Sequence, residues 1–98
     1  MHAVIFLPPA QIEASEAQDW YEAEAVGLGN RFRAELDHVA QRLAANPLQF
    51  PPVFADVRRA LLRRFPYALF FRIVDDDAVF VMACFHSSRD PRIWQHRN

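Results

Sequence analysis

The side chains able to do chemistry in this chain are few, and most are arginine. All eleven basic residues are arginine, with no lysine. A guanidinium makes planar, forked contacts with carboxylates and phosphates that an ammonium cannot copy. Residues 58–98 hold eight of them (Arg58, Arg59, Arg63, Arg64, Arg72, Arg89, Arg92 and Arg97) against four aspartates, a local charge of +4. Residues 1–57 hold three arginines against eight acids, or −5, so the overall charge of −1 hides two opposed halves. Codon bias in a GC-rich genome is the competing explanation for the missing lysine. The C-terminal half is where an acidic partner is sought. His86 is the one further candidate, since an imidazole titrating near neutrality suits proton transfer. Its competing role is to cap a strand by bonding a backbone carbonyl.

Other chemistries lack their residues. A single cysteine, Cys84, cannot form an internal disulfide, and its apolar neighbours make it a core thiol. Asp75, Asp76 and Asp77 form a solvated turn, and no other ligands stand ready to complete a metal site. Two glycines cannot build a phosphate-cradling loop, so neither metal nor cofactor is expected. The longest apolar run, Ala78 to Phe85, is far short of the about 20 residues a bilayer requires. No secretory signal is visible at Met1-His2-Ala3. The expectation is a soluble, cytoplasmic protein with one domain over residues 1–98, since 11.4 kDa cannot supply two cores.

The elements that must position these side chains follow from periodicity. Ala3 to Leu7 reads as a strand ended by Pro8-Pro9. From Ala10 to about Val26 the period is helical, with Ala10, Ala14, Ala17 and Tyr21 on one face and Trp20 beside it. Glu13 and Glu16 lie where they complement the helix dipole. Gly27-Leu28-Gly29 reads as a tight turn needing positive φ. A second helix, Asn30 to Ala45, carries the stripe Phe32, Leu36, Val39 and Leu43, and the polar row Arg31, Glu35, His38 and Arg42 faces solvent. Pro47 to Asp56 reads as a loop. Strands are expected over Val57–Phe65, Tyr67–Val74 and Ala78–His86, the last two joined as a hairpin by the three aspartates. The sum is an α+β fold, β-α-α-β-β-β, with a helical hairpin packed on a mainly antiparallel four-stranded sheet. A helical turn follows near Pro91 to Gln95.

Strict alternation makes both faces of this sheet apolar. Tyr67, Leu69, Phe71 and Ile73 oppose Ala68, Phe70, Arg72 and Val74. Val79, Val81, Ala83 and Phe85 oppose Phe80, Met82, Cys84 and His86. One helical hairpin covers one face, and apolar area left in water costs roughly 25 cal/mol per Å². The second face is therefore expected to meet a partner chain, the alternative being that loops and tail fold over it. Arg72 interrupts that face and needs an acid, with Asp90 or a partner's carboxylate as candidates. Arg89-Asp90 reads as a local pair.

Several strings in order resemble one family. They are Trp20-Tyr21, Gly27-Leu28-Gly29-Asn30-Arg31-Phe32, Asn46-Pro47, Arg58-Arg59-Ala60-Leu61, Arg64-Phe65-Pro66-Tyr67, and His86-Ser87-Ser88-Arg89-Asp90-Pro91 followed by Trp94. Together they resemble the RelE/ParE superfamily of bacterial type II toxin–antitoxin toxins, also called plasmid-stabilisation proteins. The resemblance implies a growth-arresting toxin bound by a cognate antitoxin whose C-terminal segment wraps the hairpin and sheet. Antitoxin contacts are then expected at Arg72, Phe70, Phe80, Met82, Arg58 and Arg59. ParE-like members inhibit DNA gyrase, while RelE-like members cut messenger RNA on the ribosome. A RelE-like nuclease would use His86 as acid or base and Arg64 and Arg89, with Arg72, against a pentavalent phosphate. The chain lacks that group's lysines and offers Trp94 and His96 where a catalytic tyrosine is common. The ParE-like assignment is thus preferred, with the nuclease and a non-toxic homodimeric interaction module as alternatives.

Overall fold

The computed structural model describes residues 1–97; Asn98, the end of the arginine-rich tail, lies outside the described residues. Strand β1 (Ala3–Phe6) leads into helix α1 (Pro8–Glu24), whose prolines occupy the first turn, where a missing N–H costs nothing. Helix α2 (Leu28–Ala45) returns antiparallel. A 3-10 turn at Pro47–Gln49 precedes β2 (Pro52–Phe54), β3 (Val57–Leu61), β4 (Tyr67–Ile73) and β5 (Ala78–His86), and a short helix α3 (Arg92–Gln95) ends the described chain. The sheet runs β1-β5-β4-β3-β2. It has five strands because β2 forms inside the stretch expected as a loop, and it is mixed because β1 lies parallel to β5.

The helical stripes behave as their spacing dictates. Ala10, Ala14 and Ala17 of α1 and Phe32, Leu36, Val39 and Leu43 of α2 are all buried on one face of the sheet. Tyr21, Phe32, Phe65 and Tyr67 form an aromatic knot, with Tyr21 stacked on Phe32 at 5.3 Å between centroids. The glycine turn is tighter than expected. Only Gly27 has positive φ, +88°, while Gly29 lies within α2. A Cβ on Gly29 would stand 2.7 Å from the Gln18 carbonyl oxygen, so glycine there lets the two helices approach.

The alternation assumed for β5 breaks in the middle. Phe70 lies opposite Ala83 but the next residue, Phe71, lies opposite Val81, so Met82 is an extra residue on β5. Such a bulge swaps the faces of everything beyond it. Phe85 and Ala83 therefore join the face away from the helices, with Met82, and Cys84 joins the helix-side core. This corrects the expected placement of Ala83 and Phe85 with Val79 and Val81.

The second face of the sheet is covered by the chain itself, contrary to expectation. The face away from the hairpin forms a second core of Val57, Ala68, Phe70, Met82, Ala83, Phe85 and Trp94. Trp94, only 1% exposed, lies flat on Phe70 at 4.2 Å between centroids, and Phe54 of β2 meets its edge at 6.0 Å. The tail and the β2 segment thus shelter the centre of the second face. A partner is not needed to bury it, and Phe70 and Met82 are interior side chains.

Tail and edge are fastened by one acid. Beyond Phe6, β1 no longer covers the flank of β5, which leaves main-chain groups to be satisfied. Glu13 of α1 accepts the Cys84 N–H at 3.0 Å and holds the Arg97 guanidinium in a fork at 2.9 and 3.0 Å. Arg97 also donates to the Met82 carbonyl at 3.0 Å. Glu13, expected to serve the helix dipole, serves this junction.

Candidate functional site

The docked tail leaves two openings on its side of the sheet. The larger, about 430 Å³, opens where β3, the β3–β4 turn and the end of β5 converge, with Arg59, Leu61, Tyr67, His86, Arg89 and Trp94 among its lining. The smaller, about 360 Å³, lies toward β1 and is lined by Leu7, Asp56, Arg72, Val74, Phe80 and Met82, with Ile73.

The residues expected to do acid–base and phosphate chemistry are not brought together. His86 and Arg89 share the larger groove, but Arg64 lines a separate small cleft with Arg31, Glu35 and Phe65. β3 ends at Leu61, so Arg63 and Arg64 belong to a turn rather than to the expected strand, and Arg64 takes a left-handed φ of +67°. The His86 ring is engaged: its Nδ1 accepts the Ser88 N–H at 3.0 Å and lies 2.8 Å from Ser88 Oγ. That bond places the neutral ring's proton on Nε2, so the free nitrogen cannot accept one without a change of tautomer. Tyr67, edge-on to His86 at 5.2 Å, has its phenol pushed above the usual range by burial, which disfavours a phenolate base.

Arg72 finds its acid at Asp56, at 3.0 Å, rather than at Asp90. Asp90 pairs instead with Arg92, whose fork holds its carboxyl below the usual carboxylate range. The expected Arg89–Asp90 pair is thus replaced, and Arg89 stands 3.7 Å from Glu13 and over the Phe85 ring at 4.2 Å. Of the remaining expected contact residues, Arg58 donates to the Phe50 carbonyl at 2.6 Å and braces the segment before β2, while Arg59 stays exposed. Phe80 is half-buried in the floor of the smaller cleft. Cys84 is buried, and burial pushes its thiol up to about 12, so it stays protonated. Among the described residues no cluster of three His, Cys, Asp or Glu could hold a metal, and no helix is long and apolar enough to cross a membrane.

Trp94, expected from its place in an arginine-rich tail to anchor that tail rather than to stack on a base, does so. The roles of Glu13 and Arg97 were not legible beforehand. The tail's arginines were visible as residue types, but nothing local pairs Glu13 with a residue 84 positions away.

The helical hairpin on a mixed sheet, with a basic C-terminal half, fits the resemblance of the sequence to RelE/ParE-type toxins. The family model for the ParE toxin of the type II toxin–antitoxin system, parDE, matches residues 4–91, and the chain belongs to that family. Among solved structures, one described as the chromosomal ParDE TA system from P. aeruginosa shares the fold. Its TM-score is 0.70 at 18% identity, covering 88% of this chain and 96% of that one. No curated protein matches the sequence.

Proposed function

We propose that this type II toxin is held inactive by an antitoxin segment seated in the Arg72 cleft, and that it arrests growth by inhibiting DNA gyrase. The observation that carries the choice of target is the scattering of the nuclease set. Arg64 lies in a different cleft from His86 and Arg89, and the His86 Nδ1 is committed to Ser88. A ribosome-dependent nuclease needs such groups converging on one phosphate. The chain's place in the ParE toxin family supports the same choice. Purified protein is expected to inhibit gyrase supercoiling while leaving ribosome-bound messenger intact. Codon-periodic cleavage with normal supercoiling would reverse the assignment, and loss of that cleavage in His86→Ala would place the chemistry at His86.

The cleft beside Arg72 suits an antitoxin segment because it joins an apolar floor of Leu7, Val74 and Phe80 to an exposed ion pair. The Arg72 and Asp56 side chains are 42% and 63% exposed, so their pair adds little to stability. Arg72→Ala is expected to change stability by less than about 1 kcal/mol while weakening the antitoxin, because an incoming carboxylate loses its fork. Calorimetric titration checks this, and an unchanged affinity would remove the antitoxin from the cleft.

A further inference from the structure

β3 outruns the strand beside it. β2 pairs with β3 only at Val57 and Arg58, and the Arg59 N–H reaches the Pro51 carbonyl at 3.1 Å. The Leu62 N–H bonds inward to Tyr67, so ladder alternation turns the Leu61 main chain outward, where no residue of β2 lies opposite it. The Leu61 side chain is 59% exposed. This open edge borders the larger groove. The groove's lining includes Arg59, His86 and Arg89 and not one Asp or Glu. The Arg59 guanidinium makes no ion pair or hydrogen bond among the described residues.

We infer that this groove binds an extended segment of the toxin's protein target, rich in carboxylates and aliphatic side chains. The segment adds as a strand to the outer edge of β3 at Leu61, its aliphatic side chains rest on Leu61 and Val53, and its carboxylates face Arg59 and Arg89. An unpaired strand edge supplies main-chain partners, and the flanking pockets and charges supply selectivity. A single-stranded nucleic acid fits less well, because its bases need exposed aromatic faces: Phe70, Phe85 and Trp94 in this groove are buried, and the half-buried Phe65 and Tyr67 pack against Tyr21 and Phe32. The inference rests on the reading of the chain as a toxin that acts by binding a protein.

The test is fluorescence anisotropy of the full chain with a labelled peptide of repeating Glu-Thr-Leu-Thr, which puts Glu and Leu on one face of a strand, and, separately, with a labelled oligothymidylate. The peptide is expected to bind, and Arg59→Glu and Leu61→Asp are each expected to weaken it about tenfold or more. Both residues lie on the surface, and circular dichroism checks their folding. Arg31→Glu, outside the groove, is expected to leave binding unchanged. Absent binding, equal loss in the Arg31 variant, preference for the oligonucleotide, or displacement of the peptide by the cognate antitoxin would each overturn the assignment. Peptide binding with these responses but without inhibition of supercoiling would instead count against the gyrase reading and leave the groove standing.

Discussion

Trp94→Ala is expected to lose about 4 kcal/mol of folding stability, the largest effect of any single change in the C-terminal tail. The indole is 1% exposed and lies between the face of Phe70 and the edge of Phe54. Removing it opens a cavity that rigid strands on one side cannot close, and it uncovers Phe70, Met82 and Phe85 to water. Urea unfolding followed by circular dichroism gives the loss, and increased binding of an apolar dye reports the opened face. Trp94→Phe is a sharper control. The Trp94 Nε1 is buried without a hydrogen-bond partner, so deleting it removes a desolvation penalty along with some contact area. That variant is expected to lose less than about 1.5 kcal/mol. If Trp94→Ala cost no more than a surface substitution, the tail would not be sheltering the sheet, and the second face would again require a partner chain.

Glu13→Ala is expected to lose about 3 kcal/mol, well beyond the usual value of an ion pair, because of what it leaves behind. The Glu13 side chain is 9% exposed and that of Arg97 is 21% exposed. Without the carboxylate, the Arg97 guanidinium keeps its place near the interior uncompensated, and the Cys84 N–H loses its acceptor. Glu16→Ala, one turn along α1 and exposed, is expected to change stability by less than about 0.5 kcal/mol. The double variant Glu13→Ala with Arg97→Ala is expected to be less unstable than the single losses add up to, because each partner's penalty comes from the other remaining. Strict additivity would mean the two side chains are independent and the tail is anchored by Trp94 alone.

These two residues also mark how the binding surface is shaped. The tail lies over the middle of the sheet, so it divides one apolar face into two clefts with different chemistry. Toward β1 the walls are apolar with one exposed ion pair, and toward the β3–β4 turn they are basic. We assign the two clefts to different proteins: an antitoxin segment to the Arg72 cleft, and a target segment to the basic groove.

The sequence by itself determined the helical hairpin, its buried stripes, the order of elements and the family. Apolar spacing of 3.6 and the Gly27–Gly29 and Asn46-Pro47 breaks are local signals, and local signals survive without coordinates. Tertiary structure decided the rest. The extra residue at Met82 leaves no mark in the composition of β5, since apolar residues fill both of its faces, yet it sends Phe85 and Cys84 to opposite cores. The three-residue strand at Pro52–Phe54 is too short and proline-rich to announce itself, and it exists because β3 offers it an edge. Arg72 chose Asp56, and Glu13 chose Arg97, because folding brings distant charges together at separations the chain does not encode locally. The count of apolar faces was right; which atoms would cover them depended on where the described tail after His86 came to rest, and Trp94 on Phe70 and Arg97 on Glu13 placed it.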